Sequence, residues 1–179
     1  MRVIKKTRRV TGSILNIEDW EIAFPGGNAT YQLVLHNGAA AIIAVDDQGR
    51  TPMVRQARAG ANCTELLEVP AGKLDGPDEA PLCCAQRELE EETGLRAACW
   101  QPLGHTYTSP AYCTERIALF LATELSPGKQ HLDDDEFLSV EWYPLAELGA
   151  MALRGDIADM KSALCILLAC GKLGITMLP

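Results

Sequence analysis

The segment Arg87-Glu88-Leu89-Glu90-Glu91-Glu92-Thr93-Gly94-Leu95 concentrates carboxylates in a short run. On a helix turning about 100° per residue, Glu91 falls roughly 60° to one side of Glu88 and Glu92 roughly 40° to the other, while Glu90 points away. Leu82, Ala85 and Leu89 fall beside that arc, so Glu88, Glu91 and Glu92 border the buried stripe instead of lying opposite it. A purely solvated acidic face would favour Lys or Arg one turn on. Here the i+3 and i+4 neighbours of Glu88 are like charges, each pair costing on the order of 0.2–0.5 kcal/mol. Arg87 can serve Glu91 at i+4, but one guanidinium cannot neutralise three carboxylates at the edge of a core. Divalent cations that prefer hard oxygen, Mg²⁺ or Mn²⁺, fit the remaining charge. Mg²⁺ takes one or two protein carboxylates and binds substrate phosphates in its open positions, which points to in-line displacement at phosphorus.

The elements that must position this face follow from patterning. Residues 13–17, 20–24 and 31–35 are short β-rich pieces separated by turn signals such as Pro25-Gly26-Gly27-Asn28, and predict a small antiparallel meander. Residues 39–45 and 51–58 flank Asp46-Asp47-Gln48-Gly49 and read as a hairpin. Residues 66–70 form a brief strand leading into a loop from Ala71 to Pro77. The carboxylate helix is expected at 79–93, with Asp78 as N-cap, Pro81 in the first turn and Gly94 as the C-cap glycine. Strands near 100–107, 117–125 and 140–143 and helices at 145–151 and 156–170 complete an α/β (α+β) pattern, a mixed sheet flanked by helices.

Composition sets the outer limits. The chain has 179 residues with 16 Lys+Arg, 24 Asp+Glu and a net charge of −8, suited to one core without disulfides. A pI near 4.9 argues against a general nucleic-acid binder, and no basic run suggests a membrane surface. Seven cysteines without a CxxC pair and only three histidines make zinc a poor fit. The N-terminal Met1-Arg2-Val3-Ile4-Lys5-Lys6-Thr7-Arg8-Arg9 is basic but lacks the apolar stretch of a signal peptide, so a cytoplasmic protein with reduced thiols is expected.

Gly72, Glu79 and the 87–95 segment together resemble the Nudix box of the Nudix hydrolases, G-x5-E-x7-R-E-U-x-E-E-x-G-U with U aliphatic. The second half of the motif is complete. Six residues separate Gly72 from Glu79 instead of five, which leaves Asp78 or Glu79 to take the first acidic position. The resemblance implies the Nudix α/β/α sandwich over residues 38–179, preceded by the meander at 1–37. It also implies Glu88 and Glu92 as principal metal ligands, supported by Glu91, with the Ala71 carbonyl as a further ligand.

Flanking segments are similar to those of the ADP-ribose pyrophosphatase group: Val54-Arg55-Gln56-Ala57-Arg58, Glu65-Leu66-Leu67-Glu68-Val69-Pro70-Ala71-Gly72 and Ser109-Pro110-Ala111-Tyr112-Cys113-Thr114-Glu115. In that group the meander belongs to a homodimer and supplies groups to the partner's adenine pocket, which directs attention to Trp20. Arg58 is the favoured contact for the diphosphate or terminal ribose. Arg55 joins it only if Gln56 and Ala57 bend the strand, because residues three apart normally point oppositely. Glu115 suits a water or a ribose hydroxyl. The acidic loop His131-Leu132-Asp133-Asp134-Asp135-Glu136 stands where the group carries an acid that activates water, and Asp134 and Glu136 align best. The expectation is a Mg²⁺-dependent enzyme splitting a nucleoside diphosphate sugar, with another nucleoside diphosphate derivative, or a nucleotide-sensing module without hydrolysis, as alternatives. The three histidines receive no role.

Overall fold

A computed structural model describes residues 1–12, 15–132 and 137–177. An N-terminal antiparallel sheet is formed by β1 (Arg2–Thr11), β2 (Asn16–Phe24) and β3 (Gly27–Leu35) in that order. It differs from the expected meander at its first strand. The basic run carries almost no hydrophobic alternation, yet it pairs with the acidic β2 through Arg8–Glu18 and Arg9–Asp19 ion pairs. Cross-strand charge complementarity supplies what apolar patterning does not.

The remainder is built on two further sheets and three helices. The first sheet has the order β7 (Ala71–Lys73), β4 (Ala39–Ala44), β9 (Arg116–Pro127), β8 (Leu95–Tyr107), with β4 and β9 parallel and the other pairs antiparallel. The second is antiparallel, with β10 (Leu138–Pro144), β5 (Arg50–Arg58) and β6 (Cys63–Glu68) in that order. Helices α1 (Pro81–Thr93), α2 (Leu145–Arg154) and α3 (Met160–Leu173) cover the sheets. No helix among the described residues is long and apolar enough to cross a membrane.

Strand β4 explains the layering. Every residue from Ala39 to Ala44 is buried, as expected of a strand covered on both faces. Its odd positions, Ala39, Ala41 and Ile43, pack with Leu145 and Leu148 of α2 and Cys165 and Ile166 of α3. Its even positions, Ala40, Ile42 and Ala44, pack with Cys84, Ala85 and Leu89 of α1. Two cores on opposite faces of one sheet make an α/β/α sandwich.

Three local expectations change. The stretches 39–45 and 51–58 do not pair as a hairpin: β4 joins β7 and β9, while β5 joins β10 and β6 in the other sheet. The Ala71-Gly72-Lys73 stretch is an edge strand paired with β4, not a loop. The N-cap of α1 is Ala80 in an extended conformation, with no side-chain cap, instead of Asp78. Pro81 accounts for this: it occupies the first helical position and disfavours helical geometry in the residue before it. At the other end Gly94 is left-handed, with φ +69°, and its N–H bonds the Glu90 carbonyl, as the glycine predicted.

Candidate active site

The last two turns of α1 press their carboxylates against β7. Glu88 and Glu92 are buried, Glu91 is half-buried, and all three line one open cleft of about 750 Å³. Glu92 Oε2 accepts the Ala71 N–H at 3.1 Å. A Cβ built on Gly72 would stand 1.8 Å from Glu88 Oε1, so only glycine at this strand position leaves room for the carboxylate.

Arg87 is the local counter-charge. Its Nη1 donates to Glu88 Oε1 at 2.7 Å and Glu91 Oε2 at 3.0 Å, its Nε to Glu79 Oε1 at 3.3 Å, and its Nη2 to the Lys73 carbonyl at 3.1 Å. Burial works against the Arg87 charge, but Glu79, Glu88 and Glu91 outweigh it and hold the guanidinium protonated. Of the two acids left open by the loop spacing, Glu79 is the one on Arg87, and it also accepts the Asp75 N–H at 2.7 Å. Glu79 lies just before α1, not in its first turn as expected, and the extra loop residue does not keep it from Arg87.

The donor chemistry fits a hard divalent ion. Among the described residues no three His, Cys, Asp or Glu side chains enclose an ion by themselves. A cation that draws one or two carboxylates from protein and the rest of its shell from water and phosphate needs no such enclosure. Glu88, Glu91 and Glu92 offer carboxylate oxygens on the cleft, and Gly72 secures the space for one of them.

Cations stand in the same cleft. Arg58 grips Glu68 through Nε to Oε1 at 2.6 Å and Nη2 to Oε2 at 2.8 Å. Glu68 is 1% exposed and also accepts from Lys161 Nζ at 2.5 Å. Lys161 bonds Asp159 at 3.0 Å, and Asp159 caps α3 by accepting from the Ser162 N–H. Burial pushes the Glu68 carboxyl up, but the bonds and charges of Arg58 and Lys161 outweigh it and leave the group below the ordinary carboxylate value.

Glu115 lines the cleft too, 3.4 Å from His36 Nε2. The Gly38 N–H donates to His36 Nδ1 at 3.0 Å, which leaves the ring proton on Nε2, toward Glu115. His36 thus has a place in the cleft that sequence reasoning did not give it.

Arg55 is not brought to the cleft. The strand irregularity lies between Gln56 and Arg58, and Arg55 instead bonds Glu141 at 3.0 Å and the Tyr143 hydroxyl at 2.9 Å. Trp20 lies outside its own chain's cleft: its Nε1 donates to Glu18 at 2.8 Å and Lys6 Nζ sits 3.7 Å above its ring. Asp134 and Glu136 lie outside the described residues. Sequence reasoning also missed Glu68, Asp159 and Lys161. Asp159 and Ser162 carry a helix-start signal three residues later than the expected helix, but nothing local links Lys161 to Glu68, 93 positions away.

An acid-bearing helix turn set against a sheet edge in an α/β/α sandwich is consistent with the Nudix resemblance, and comparison with known proteins shows the family. Residues 35–164 match the NUDIX domain family, and the chain belongs to that family of hydrolases. It is 40% identical over 154 residues to an ADP-ribose pyrophosphatase of Mycobacterium tuberculosis, covering 83% of this chain and 73% of that one. It is 36% identical over 168 residues to an ADP-ribose pyrophosphatase of Bacillus subtilis, covering 92% and 90%. A solved ADP compounds hydrolase superposes with a TM-score of 0.80 at 20% identity over 98% of this chain and 96% of that chain, a likeness of fold.

Two expectations follow. Gly72→Ala should force the Glu88 carboxylate aside while the fold persists; Mn²⁺ affinity read by electron paramagnetic resonance is expected to fall at least about tenfold, and unchanged affinity would count against the contact. Because Glu68 is depressed in the folded state, its stabilisation is complete above the unfolded carboxylate range of about 4.3 and is lost as pH falls through the folded value. Denaturant unfolding should therefore show wild type more stable than Glu68→Gln near neutrality, with the gap closing in acid.

Proposed function

We propose that this enzyme hydrolyses the diphosphate of ADP-ribose or a closely related nucleoside diphosphate sugar, using Mg²⁺ or Mn²⁺ and releasing AMP and a sugar phosphate. The observation that carries the reading is the set of Glu88, Glu91 and Glu92 on one cleft with Arg58 and Lys161. Acids alone would repel a diphosphate; acids that hold divalent ions beside fixed cations attract one. The names of the two relatives above support the substrate class.

In this reading Glu88 and Glu92, supported by Glu91 and the Ala71 carbonyl, hold the ions. When bound, the ions neutralise the diphosphate and polarise its phosphoryl oxygens. Arg58 binds the diphosphate or terminal ribose, and Glu115, steadied by His36, takes a ribose hydroxyl or orients water. Water attacks one phosphorus and the bridging P–O bond breaks. The proton of water goes to Glu136 or Asp134 of the acidic 131–136 segment. We further infer a cytoplasmic homodimer. Strand β1 is exposed along its whole length, which leaves a face for a second copy, and the role proposed for Trp20 is a contact with the adenine of the substrate bound by that copy.

Glu92→Gln is the direct test. Release of AMP from ADP-ribose should depend on added Mg²⁺ in wild type and fall by at least about a hundredfold in the variant, with its melting temperature preserved. An active Glu92→Gln enzyme would refute the ligand assignment, and product analysis across a panel of diphosphates would expose a different substrate.

A further inference from the structure

Lys161 and Arg58 come from distant parts of the chain, the first turn of α3 and the end of β5, yet both line the cleft and both bind the same carboxylate, Glu68. Glu68 contributes nothing to the cleft lining itself and is 1% exposed. A carboxylate this deep has little use as a substrate contact. It suits a role in fixing the two cations that sandwich it. Arg58 commits two of its five N–H donors to Glu68, and Lys161 commits two of its three to Glu68 and Asp159. Each cation retains donors.

Glu68 accepts from both Arg58 and Lys161, Asp159 accepts from Lys161, and Asp159 also binds the Ser162 N–H and hydroxyl, so the cluster is locked to the start of α3. The Ser162 hydroxyl in turn accepts the Val69 N–H at 2.8 Å, tying α3 to the segment after β6. Lys161, only 13% exposed at its side chain, is thereby held against the cleft with little freedom. An ammonium restrained in this way loses little entropy on meeting an anion.

We propose that Lys161 is a second cationic contact for the substrate diphosphate, paired with Arg58, and that Glu68 is the positioning residue that aims both. The proposal deepens the diphosphate reading above and rests on it. Anionic oxygens not engaged by metal ions are taken by two different donor types: the planar guanidinium and the ammonium point charge.

Inorganic pyrophosphate with saturating Mg²⁺ is the probe, because its binding does not require that ADP-ribose be the substrate. Isothermal titration below the melting temperature of each variant should show Lys161→Met binding pyrophosphate about tenfold more weakly than wild type, with Lys161→Arg recovering most of the loss. In turnover of ADP-ribose, Lys161→Met should raise KM or lower kcat/KM, whereas Arg154→Lys, outside the cleft and bonded to Asp156, should leave both unchanged. A purely structural Lys161 would lower the melting temperature and leave pyrophosphate affinity intact, and that result overturns the proposal. So does a wild-type enzyme that fails to bind pyrophosphate. If pyrophosphate affinity falls as expected but ADP-ribose is not split, the cation pair stands and the substrate reading alone fails.

Discussion

Glu88 and Glu92 are carboxylates buried at the seam between a helix and the edge of a sheet, and most of the neighbouring structure answers the cost of keeping them there. A buried charge is tolerated only when hydrogen bonds or opposite charges replace lost water. Ala71 N–H and Arg87 supply part of that replacement. The absence of a side chain at Gly72 lets helix and strand approach closely enough for the carboxylate to fit. Beneath them Leu89, Ala85 and Cys84 lock α1 to β4, so the acidic turn stands on a packed layer and not on a loop. Sites carried by regular elements hold their geometry better than sites carried by loops.

The cleft is divided by charge. Glu88, Glu91 and Glu92 lie along α1, with Arg87 threading among them to Glu79. Arg58 and Lys161 arrive from β5 and α3, fastened to one interior carboxylate. Hard ions held by the acids, as proposed, and the fixed cations beside them would both complement a diphosphate, which carries its charge over several oxygens. Uniformly acidic walls would exclude such a ligand, and uniformly basic walls would bind it without the means to polarise it.

The carboxylate face was legible in the sequence because its information is local: the spacing of Glu88, Glu91 and Glu92, the stripe of Ala85 and Leu89, and Gly94 at the end all lie within one helix. Strand β4 was legible from its unbroken apolar run. Strand β1 was not, because its partner selection is electrostatic and its hydrophobic pattern is faint. The Asp78 cap failed because the restriction imposed by Pro81 on Ala80 outweighed cap preference. The Glu68 cluster was hidden for another reason. Its members meet across 93 residues, and a Lys near a helix start or a Glu at a strand end looks alike whether it is solvated or paired. Arg55 and Arg58 show the limit of strand patterning, since the bulge that separates Gln56 from Arg58 is set by the pairing with β6.

On the proposed reading, the acidic turn serves to hold hard cations against a diphosphate. Anomalous diffraction from crystals grown with Mn²⁺ and α,β-methylene ADP-ribose, whose phosphorus bridge water cannot cleave, addresses it most directly. Manganese bonded at once to Glu88, Glu92 and the diphosphate oxygens is the predicted result. Manganese found elsewhere, bonded to neither Glu88 nor Glu92, would rule that role out.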